Sequence, residues 1–125
     1  MLDKSYYHGQ QGECFRQLEK HWEDIKHEFD SHPNKVFLDP GIGFGKDDSA
    51  NLYLIERCMK EALTIPLLVG LSRKSFIGRL LDLEEPLDRD PPSKMLEISL
   101  MMSGVEIVRT HEVKQLAYMK NLLTN

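Results

Sequence analysis

The amino-acid sequence predicts an α/β fold in which short parallel strands alternate with helices. Three apolar segments, at residues 36–38, 66–71 and 105–108, have the hydrophobic character of buried strands. They are separated by about 30–40 residues, and each intervening stretch carries apolar residues at helical spacing. Strand-helix-strand units of this kind form parallel sheets with right-handed connections. A Rossmann-type sheet and a section of a closed barrel are both compatible with the pattern.

The first third of the chain is predicted to contain one long helix and the first strand. Five apolar residues recur at spacings of three and four across residues 13–30: Phe15, Leu18, Trp22, Ile25 and Phe29. The turn-forming segment 31–34 stops this helix. The strand at 36–38 leads into a glycine-rich loop. A second helix is predicted to begin at Asp48 or Ser49, either of which can cap free backbone N–H groups, and to continue to Leu63.

The rest of the chain is predicted to contain two strands and three helices. A short helix over residues 75–81 follows the strand at 66–71, and the acidic, proline-containing stretch 82–92 is predicted to be a loop. Pro92 and Ser93 then open a helix that ends at Gly104, a predicted C-cap. Its largely apolar body includes Met95, Ile98, Leu100 and Met102. The third strand is followed by a final helix over residues 113–123.

Composition and charge narrow the class of protein. The chain is 41% hydrophobic and 29% charged, which is typical of a soluble globular protein. Its formal charge of −4 offers no basic stripe for a phosphate backbone, so we expect no nucleic-acid partner. The apolar runs are too short to cross a bilayer, and no basic segment leads into an apolar one at the N-terminus. The sequence therefore predicts a cytoplasmic protein with no membrane contact.

Cysteine usage and histidine spacing point the same way. Cys14 and Cys58 lie far apart without a CxxC spacing, which favours reduced thiols over a disulfide framework. The histidines at positions 8, 21 and 27 and Cys14 lack the tight spacing of metal ligands, so no protein-bound metal is predicted.

Polar side chains follow each predicted strand where the strand ends. Asp39 follows the first strand, Lys74 the second, and Arg109 and His111 the third. Parallel-sheet proteins place ligands at this edge. A carboxylate there can accept two N–H donors from a heterocycle, and a cation beside an imidazole can hold an anionic leaving group.

Each of these residues also has a simpler interpretation. Asp39 is compatible with a turn or cap residue, as is common for Asp before Pro-Gly. Lys74 is compatible with a solvated charge, and Arg109 with His111 is compatible with an ordinary surface pair. Arg73 is predicted to be a solvated surface charge.

The glycine-rich loop does not match a nucleotide-binding motif. Pro40 stands where a Walker A motif needs glycine, and Asp47 stands where it needs Ser or Thr. The third glycine of a dinucleotide-binding fingerprint would fall on Lys46. Alone, the glycines indicate only a tight turn where the backbone passes close to another group.

Together, the three strand ends resemble those of dihydropteroate synthases, which are pterin-binding barrels. In order, the segments resemble the loop after the sixth strand, the seventh strand with its following helix, and the eighth strand. They are Leu38-Asp39-Pro40-Gly41-Ile42-Gly43-Phe44-Gly45-Lys46 with Asn51, Leu67-Leu68-Val69-Gly70-Leu71-Ser72-Arg73-Lys74-Ser75-Phe76-Ile77-Gly78, and Ile107-Val108-Arg109-Thr110-His111-Glu112-Val113. Corrinoid-dependent methyltransferases share the barrel, but the Ser-Arg-Lys-Ser and Arg-x-His segments favour the synthase.

The resemblance implies a fold class and a domain arrangement. The chain would form the C-terminal three βα units of a (β/α)8 TIM barrel. Residues 1–125 would be a single partial pterin-binding domain, with a leading helix region at 1–34 and strands six to eight with their helices at 35–125.

The resemblance also implies a transferase of folate biosynthesis. The amine of 4-aminobenzoate would attack the methylene group of 6-hydroxymethyl-7,8-dihydropterin diphosphate, and diphosphate would leave as dihydropteroate forms. Arg109 and His111 would hold the diphosphate, with Mg²⁺ bridging its oxygens. With Lys74, they are the candidate catalytic residues.

Four positions are expected to bind the two organic substrates. Asp39 would bind the edge of the pterin ring. Lys74 would contact the pterin and help to shape the aminobenzoate site, which Phe44 would line. Ser75, at a helix N-terminus, would receive the aminobenzoate carboxylate, because the helix dipole favours an anion there.

The sequence departs from the family pattern in three mild ways and one large one. Glu112 replaces the commoner Asp, Thr110 replaces an aliphatic residue, and Pro92 stands where a glycine usually precedes the last large helix. A complete barrel needs about 250 residues, and the first four or five strands are not in this sequence. In the family those strands supply a second pterin-binding carboxylate, an asparagine and two mobile loops.

Three hypotheses for function remain open. The chain could be the C-terminal half of a synthase that works with an N-terminal half or as a homodimer. It could be a non-catalytic module that binds a pterin or a partner. It could also be an inactive truncated remnant, because half of the core is missing. A three-stranded sheet would also leave one flank without hydrogen-bond partners unless a second chain covers it.

Overall fold

The computed structural model describes residues 12–31 and 36–124. The chain divides into two compact units, residues 1–36 and 37–125. Within the described residues the elements are α1 Gly12–Asp30, α2 Asp48–Glu61, β1 Leu68–Gly70, α3 Ser75–Leu81, a 3-10 helix Pro86–Arg89, α4 Asp90–Ser103, β2 Ile107–Arg109 and α5 Val113–Thr124. The predicted alternation of helices and strands is confirmed. None of the described helices is long and apolar enough to span a membrane.

The first unit contains α1, which confirms the helix predicted over residues 13–30. It ends at Asp30, and the backbone N–H of Ser31 donates to the carbonyl of Glu28 at 3.2 Å. The Ser31 hydroxyl donates to the same carbonyl at 2.7 Å, so a polar residue closes the last turn. The remaining predicted stop residues, at 32–34, lie outside the described residues.

The second unit is built on a parallel sheet, as the sequence predicts. β1 and β2 pair in parallel, with Leu68 opposite Ile107 and Gly70 opposite Arg109. On the side of β1 away from β2, Leu38 forms a parallel bridge to Leu67. β1 therefore lies between Leu38 and β2.

The strand predicted at residues 36–38 is reduced to this single bridge. The Leu38 N–H donates to the Pro66 carbonyl at 2.9 Å, and the Leu68 N–H donates to the Leu38 carbonyl at 3.0 Å. The next donor of a parallel ladder would be the backbone N–H of residue 40. Because that residue is Pro40, it has no N–H, and the pairing stops before it can become a strand.

β1 and its flanking residues form the centre of the core. Leu67, Val69 and Leu71 have no exposed surface, and Leu68 between them is half-buried. Such burial on both faces is what a parallel sheet covered by helices requires. The buried residues of α2 and α4 include Leu54, Ile55, Cys58 and Leu100.

The N-cap of α2 is Asp47 and not Asp48 or Ser49, so this detail of the prediction is wrong. The Asp47 carboxylate accepts a hydrogen bond from the backbone N–H of Ala50 at 2.8 Å. Asp48 instead forms an ion pair with Arg79 of α3 at 2.7 Å. The helix ends at Glu61, two residues before Leu63, where the sequence had placed its last turn.

The stretch predicted as a loop at residues 82–92 is partly helical. A 3-10 helix occupies Pro86–Arg89, and α4 begins at Asp90 rather than at Pro92. Pro91 and Pro92 lie in the first turn, where the missing N–H groups would have had no helical partner in any case. At the other end Gly104, with φ of +111°, is the C-cap, as predicted.

Candidate functional site

The polar residues that follow the strands lie at one edge of the sheet. Asp39 follows the bridge at Leu38, Lys74 follows β1, and Arg109 is the last residue of β2, with His111 two positions later. Because the three segments are parallel, their carboxyl ends share this edge. This strand-end edge is the candidate site.

The loop at residues 39–46 is folded by hydrogen bonds to its own backbone. The Asp39 carboxylate accepts from the Gly41 N–H at 2.9 Å, which is the local turn contact that an Asp before Pro-Gly favours. The Lys46 ammonium donates to the carbonyls of Gly41 at 2.9 Å and Phe44 at 3.0 Å. One oxygen of Asp39 is therefore used in the turn, and the carboxylate remains at the exposed surface of the edge.

Asn51 anchors this loop to α2. Its side-chain oxygen accepts from the Gly43 N–H at 2.7 Å, and Asn51 itself has no exposed surface. Gly43 has a φ of +88°, a conformation that other residues rarely adopt. The buried Nδ2 atom of Asn51 has no hydrogen-bond partner in the part of the chain that the structure describes.

Lys74 folds back over the glycine loop and is not an ordinary solvated charge. Its ammonium donates to the carbonyl of Ile42 and lies 4.4 Å from the centre of the Phe44 ring. Its side chain also passes so close to Gly43 that a Cβ atom there would lie 2.7 Å from Lys74 Cδ. The structure thus brings together Lys74 and Phe44, two of the residues singled out from the sequence.

Neighbouring charges perturb the Lys74 ammonium. Burial lowers the pKa of Lys74, and the positive charges of Arg109 and Lys46 act in the same direction, while Asp39 opposes them. Asp39, Lys74 and Arg109 follow or end neighbouring parallel segments, which places all three at the strand-end edge.

Arg73 corrects one sequence-based prediction, because it is bound and not a free surface charge. Its guanidinium makes two hydrogen bonds to the Asp90 carboxylate, at 2.7 and 3.1 Å. This contact raises the pKa of Arg73 and holds the pKa of Asp90 below its usual range. The Arg73 backbone is also fixed: its N–H donates to Ser93 at 3.2 Å, and its carbonyl accepts from Arg89 at 3.0 Å. The turn that carries Lys74 is therefore held by the start of α4.

The guanidinium of Arg109 lies over the backbone of β1. A Cβ atom on Gly70, its partner in the register, would lie 2.8 Å from Arg109 Nη2. A side chain at position 70 would therefore displace Arg109. Gly70 is required by this close approach and not by an unusual φ.

His111 is oriented by Ser72, which the sequence motif includes but to which it assigned no role of its own. The buried Ser72 hydroxyl oxygen lies 3.2 Å from the His111 backbone nitrogen, which donates to it, and 2.9 Å from His111 Nδ1. The contact engages Nδ1, so Nε2 is the nitrogen that can face a ligand.

Ser75 begins α3 and is exposed. Its hydroxyl accepts a hydrogen bond from Arg79 at 3.1 Å. Arg79 is also paired with Asp48 at 2.7 Å, so its charge is already balanced by a carboxylate.

Glu97 of α4 is a second residue that the sequence reasoning missed. It is only 1% exposed, and its Oε2 accepts from the Thr110 hydroxyl at 3.0 Å. Burial raises the pKa of Glu97 to about 7, against a lowering by the Thr110 hydrogen bond and Lys94. The sequence pattern that could have indicated its burial is its spacing, because Glu97 lies at helical spacing from Ser93 and Leu100, the other buried residues of α4.

Comparison with known proteins then identifies the family. The sequence profile described as "pterin binding enzyme" matches residues 3–111. The chain belongs to this family. Dihydropteroate synthase of Synechocystis sp. is 38% identical to it over 95 residues, which are 75% of this chain and 33% of that protein. The chain of this pterin-binding family member thus spans about a third of that relative's length.

Solved structures agree with this assignment. Dihydropteroate synthase of Thermus thermophilus in complex with 6HMPPP aligns with a TM-score of 0.70 and 33% identity, over 93% of this chain and 49% of that one. The same enzyme in complex with 4-aminobenzoate aligns with a TM-score of 0.60 and 41% identity, over 70% of this chain and 36% of that one. The α/β architecture of this pterin-binding family member is therefore part of a dihydropteroate synthase fold.

Proposed function

We propose that this chain supplies the late-strand part of a dihydropteroate synthase active site. Leu38, β1 and β2 would be strands six to eight of a (β/α)8 barrel, and the early strands would come from the rest of a longer polypeptide or from a separate N-terminal half. The observation that carries the proposal is the placement of Asp39, Lys74 and Arg109 at the carboxyl ends of neighbouring parallel segments. We also propose that the protein works in the cytoplasm.

The reaction is a substitution at the pterin methylene group. The amine nitrogen of 4-aminobenzoate would form a bond to that carbon as the bond to the diphosphate oxygen breaks, and the amine would lose a proton. The products would be dihydropteroate and diphosphate. The protein's contribution is to hold both substrates in line and to stabilise the charge that develops on the leaving group.

Arg109 and His111 are suited to the leaving diphosphate. Arg109 is exposed at the edge, and His111 can present Nε2 because Ser72 engages its other ring nitrogen. Mg²⁺ would bind together with the substrate, through the diphosphate oxygens, because Mg²⁺ usually binds substrate phosphates and keeps several waters. The described residues contain no cluster of three His, Cys, Asp or Glu side chains that could hold a metal ion.

The glycine loop and α3 are suited to the two organic substrates. The exposed Asp39 carboxylate can accept N–H groups from a pterin edge. Lys74 and Phe44 form a cation and aromatic pair beside it, and Phe44 is 66% exposed, so its ring is free to cover an aromatic substrate. Ser75 can receive the aminobenzoate carboxylate.

A direct test is the binding of 6-hydroxymethyl-7,8-dihydropterin diphosphate to this chain joined to the early strands of a relative. Arg109→Ala should weaken binding by at least about tenfold, because charge-assisted hydrogen bonds contribute roughly 1.5–3 kcal/mol. Lys114→Ala, which removes an exposed charge of α5, is the matched control and should leave affinity unchanged. Equal affinity in both variants would overturn the role of Arg109.

A non-catalytic pterin-binding module is the second candidate. It is favoured by the fact that Asp39, Lys74 and Phe44 are held in place by contacts within residues 37–125 alone. Such a module would bind the pterin without turnover in any mixture, and Asp39→Ala would abolish that binding.

A further inference from the structure

A buried carboxyl group lies directly behind the strand end that carries Arg109 and His111. Glu97 is 1% exposed and belongs to the face of α4 that packs towards β2. Its Oε1 atom has no hydrogen-bond partner among the described residues, and its Oε2 atom contacts Thr110. A buried charge-bearing group usually has a partner or a specific task, since burying it otherwise costs free energy.

The hydrogen bonds of Thr110 have a fixed direction. The Glu112 backbone N–H donates to Thr110 Oγ1 at 3.0 Å, so this oxygen is an acceptor there. Its own proton is then directed to Glu97 Oε2, also at 3.0 Å. Two consecutive hydrogen bonds therefore connect α4 to the backbone just after β2.

These two hydrogen bonds involve the residues on either side of His111 in the sequence. Thr110, which precedes it, donates its hydroxyl proton to Glu97, and Glu112, which follows it, donates its backbone N–H to the Thr110 hydroxyl. On the other side Ser72 contacts its backbone nitrogen and its ring. With both attachments, neither the backbone nor the ring of His111 can turn freely.

We propose that Glu97 is a positioning residue that fixes the strand end 109–112 through the Thr110 hydroxyl, and so sets the direction of Arg109 and His111. The inference rests on the proposed function only in assuming that these two side chains bind an anion. The charged groups around Glu97 are Lys94 and Asp90 on α4 and Glu112 after β2. None of them replaces the Thr110 contact, because among the described residues Thr110 is the one hydrogen-bond partner of the carboxyl group, and it connects that group to the strand-end backbone.

The first measurement is amide hydrogen exchange of Glu112 in the full chain. Thr110→Val removes the acceptor of the Glu112 N–H and should speed exchange by about tenfold, the factor that corresponds to loss of a hydrogen bond worth roughly 1.4 kcal/mol. Glu97→Leu leaves that acceptor in place but frees it from α4, so it should speed exchange by a smaller factor that is still above about twofold. Glu97→Gln keeps an oxygen acceptor and Thr110→Ser keeps the hydroxyl, so both should stay within about twofold of the wild type. The double variant Glu97→Leu/Thr110→Val should be no faster than Thr110→Val alone, since Thr110→Val already removes both hydrogen bonds. Unchanged exchange in the Leu and Val variants, or equal losses in the Gln and Ser variants, would overturn the proposal.

The second measurement separates this proposal from the proposed function. Inorganic diphosphate is titrated into the same proteins while the His111 ring signals are followed by NMR. Weaker binding by about tenfold in Thr110→Val, with recovery in Thr110→Ser, supports positioning of the anion site. Equal affinity in wild type and Thr110→Val would overturn it. If the wild type itself does not bind diphosphate, the anion-binding role of Arg109 and His111 fails, and the exchange experiment alone decides the role of Glu97.

Discussion

Glu97 should lower the stability of this protein as the pH rises from about 4.5 to about 7. Its pKa is raised from 4.5 to about 7 in the folded state, mainly by burial. Below pH 4.5 the carboxyl is protonated in both states and costs nothing. Between these values the unfolded chain ionises while the folded one stays neutral, so stability is lost as pH rises and the loss is complete above pH 7.

The size of the effect follows from the same shift. One unit of pKa difference corresponds to about 1.36 kcal/mol, so the maximum loss is about 3 kcal/mol. Partial solvent relaxation around the ionised group reduces this, and we expect about 1–3 kcal/mol between pH 5 and pH 8. That is a large part of the stability of a small domain.

Urea denaturation at pH 5, 6, 7 and 8 measures this loss. Glu97→Gln is the control, because it keeps the shape of the side chain but cannot ionise. The difference between the two proteins isolates Glu97 from the histidines and other carboxyl groups, which titrate in both. The free energy of unfolding of the wild type should decline by about 1–3 kcal/mol relative to the variant. Parallel pH profiles would show that the Glu97 pKa is not raised by burial.

Three further perturbations test the site and its supports. Asp47→Ala should lower the free energy of unfolding by about 1 kcal/mol in thermal denaturation, while Ser49→Ala should leave it nearly unchanged; equal effects would contradict the assignment of the cap. Gly43→Ala should lower pterin affinity in a fluorescence titration, because its Cβ would collide with Lys74 and its φ is positive; wild-type affinity would show that the loop adapts. Cys58 should resist iodoacetamide at pH 8 until urea unfolds the chain, since burial raises its pKa to about 12; labelling of the folded protein would contradict this.

Elements with strong local patterns could be predicted from the sequence. The helix at 75–81 has the predicted bounds, and the parallel order of the strands follows from their spacing. The prediction of a first strand at residues 36–38 was wrong for a reason that the sequence contains. Pro40 stands at the position whose backbone N–H would have extended the hydrogen-bond ladder, and proline has no N–H. The 3-10 helix at residues 86–89 was missed because a stretch rich in proline and acidic residues usually predicts a loop.

Candidate site residues could be selected from the sequence more easily than their contacts could be predicted. Residues at strand ends could be selected because parallel sheets place ligands there. Arg73 was misjudged because its partner Asp90 is 17 positions away along the chain, a distance over which the sequence carries no pairing signal. Ser72 was overlooked because a serine hydroxyl has no pattern that distinguishes a positioning contact from a solvated one, and its partner His111 is 39 positions away.

The decisive experiment for the proposed enzyme is dihydropteroate formation from 6-hydroxymethyl-7,8-dihydropterin diphosphate and 4-aminobenzoate in the presence of Mg²⁺. The assay compares this chain alone with the chain combined with a polypeptide that carries the early strands of a relative. We predict turnover in the combination and none with this chain alone, because a site built from late strands alone cannot hold both substrates. In the combination, His111→Ala should abolish turnover, because His111 is proposed to hold the leaving diphosphate. A folded, associated complex that binds the pterin but forms no dihydropteroate would contradict the proposed catalytic role and would favour the non-catalytic binding module.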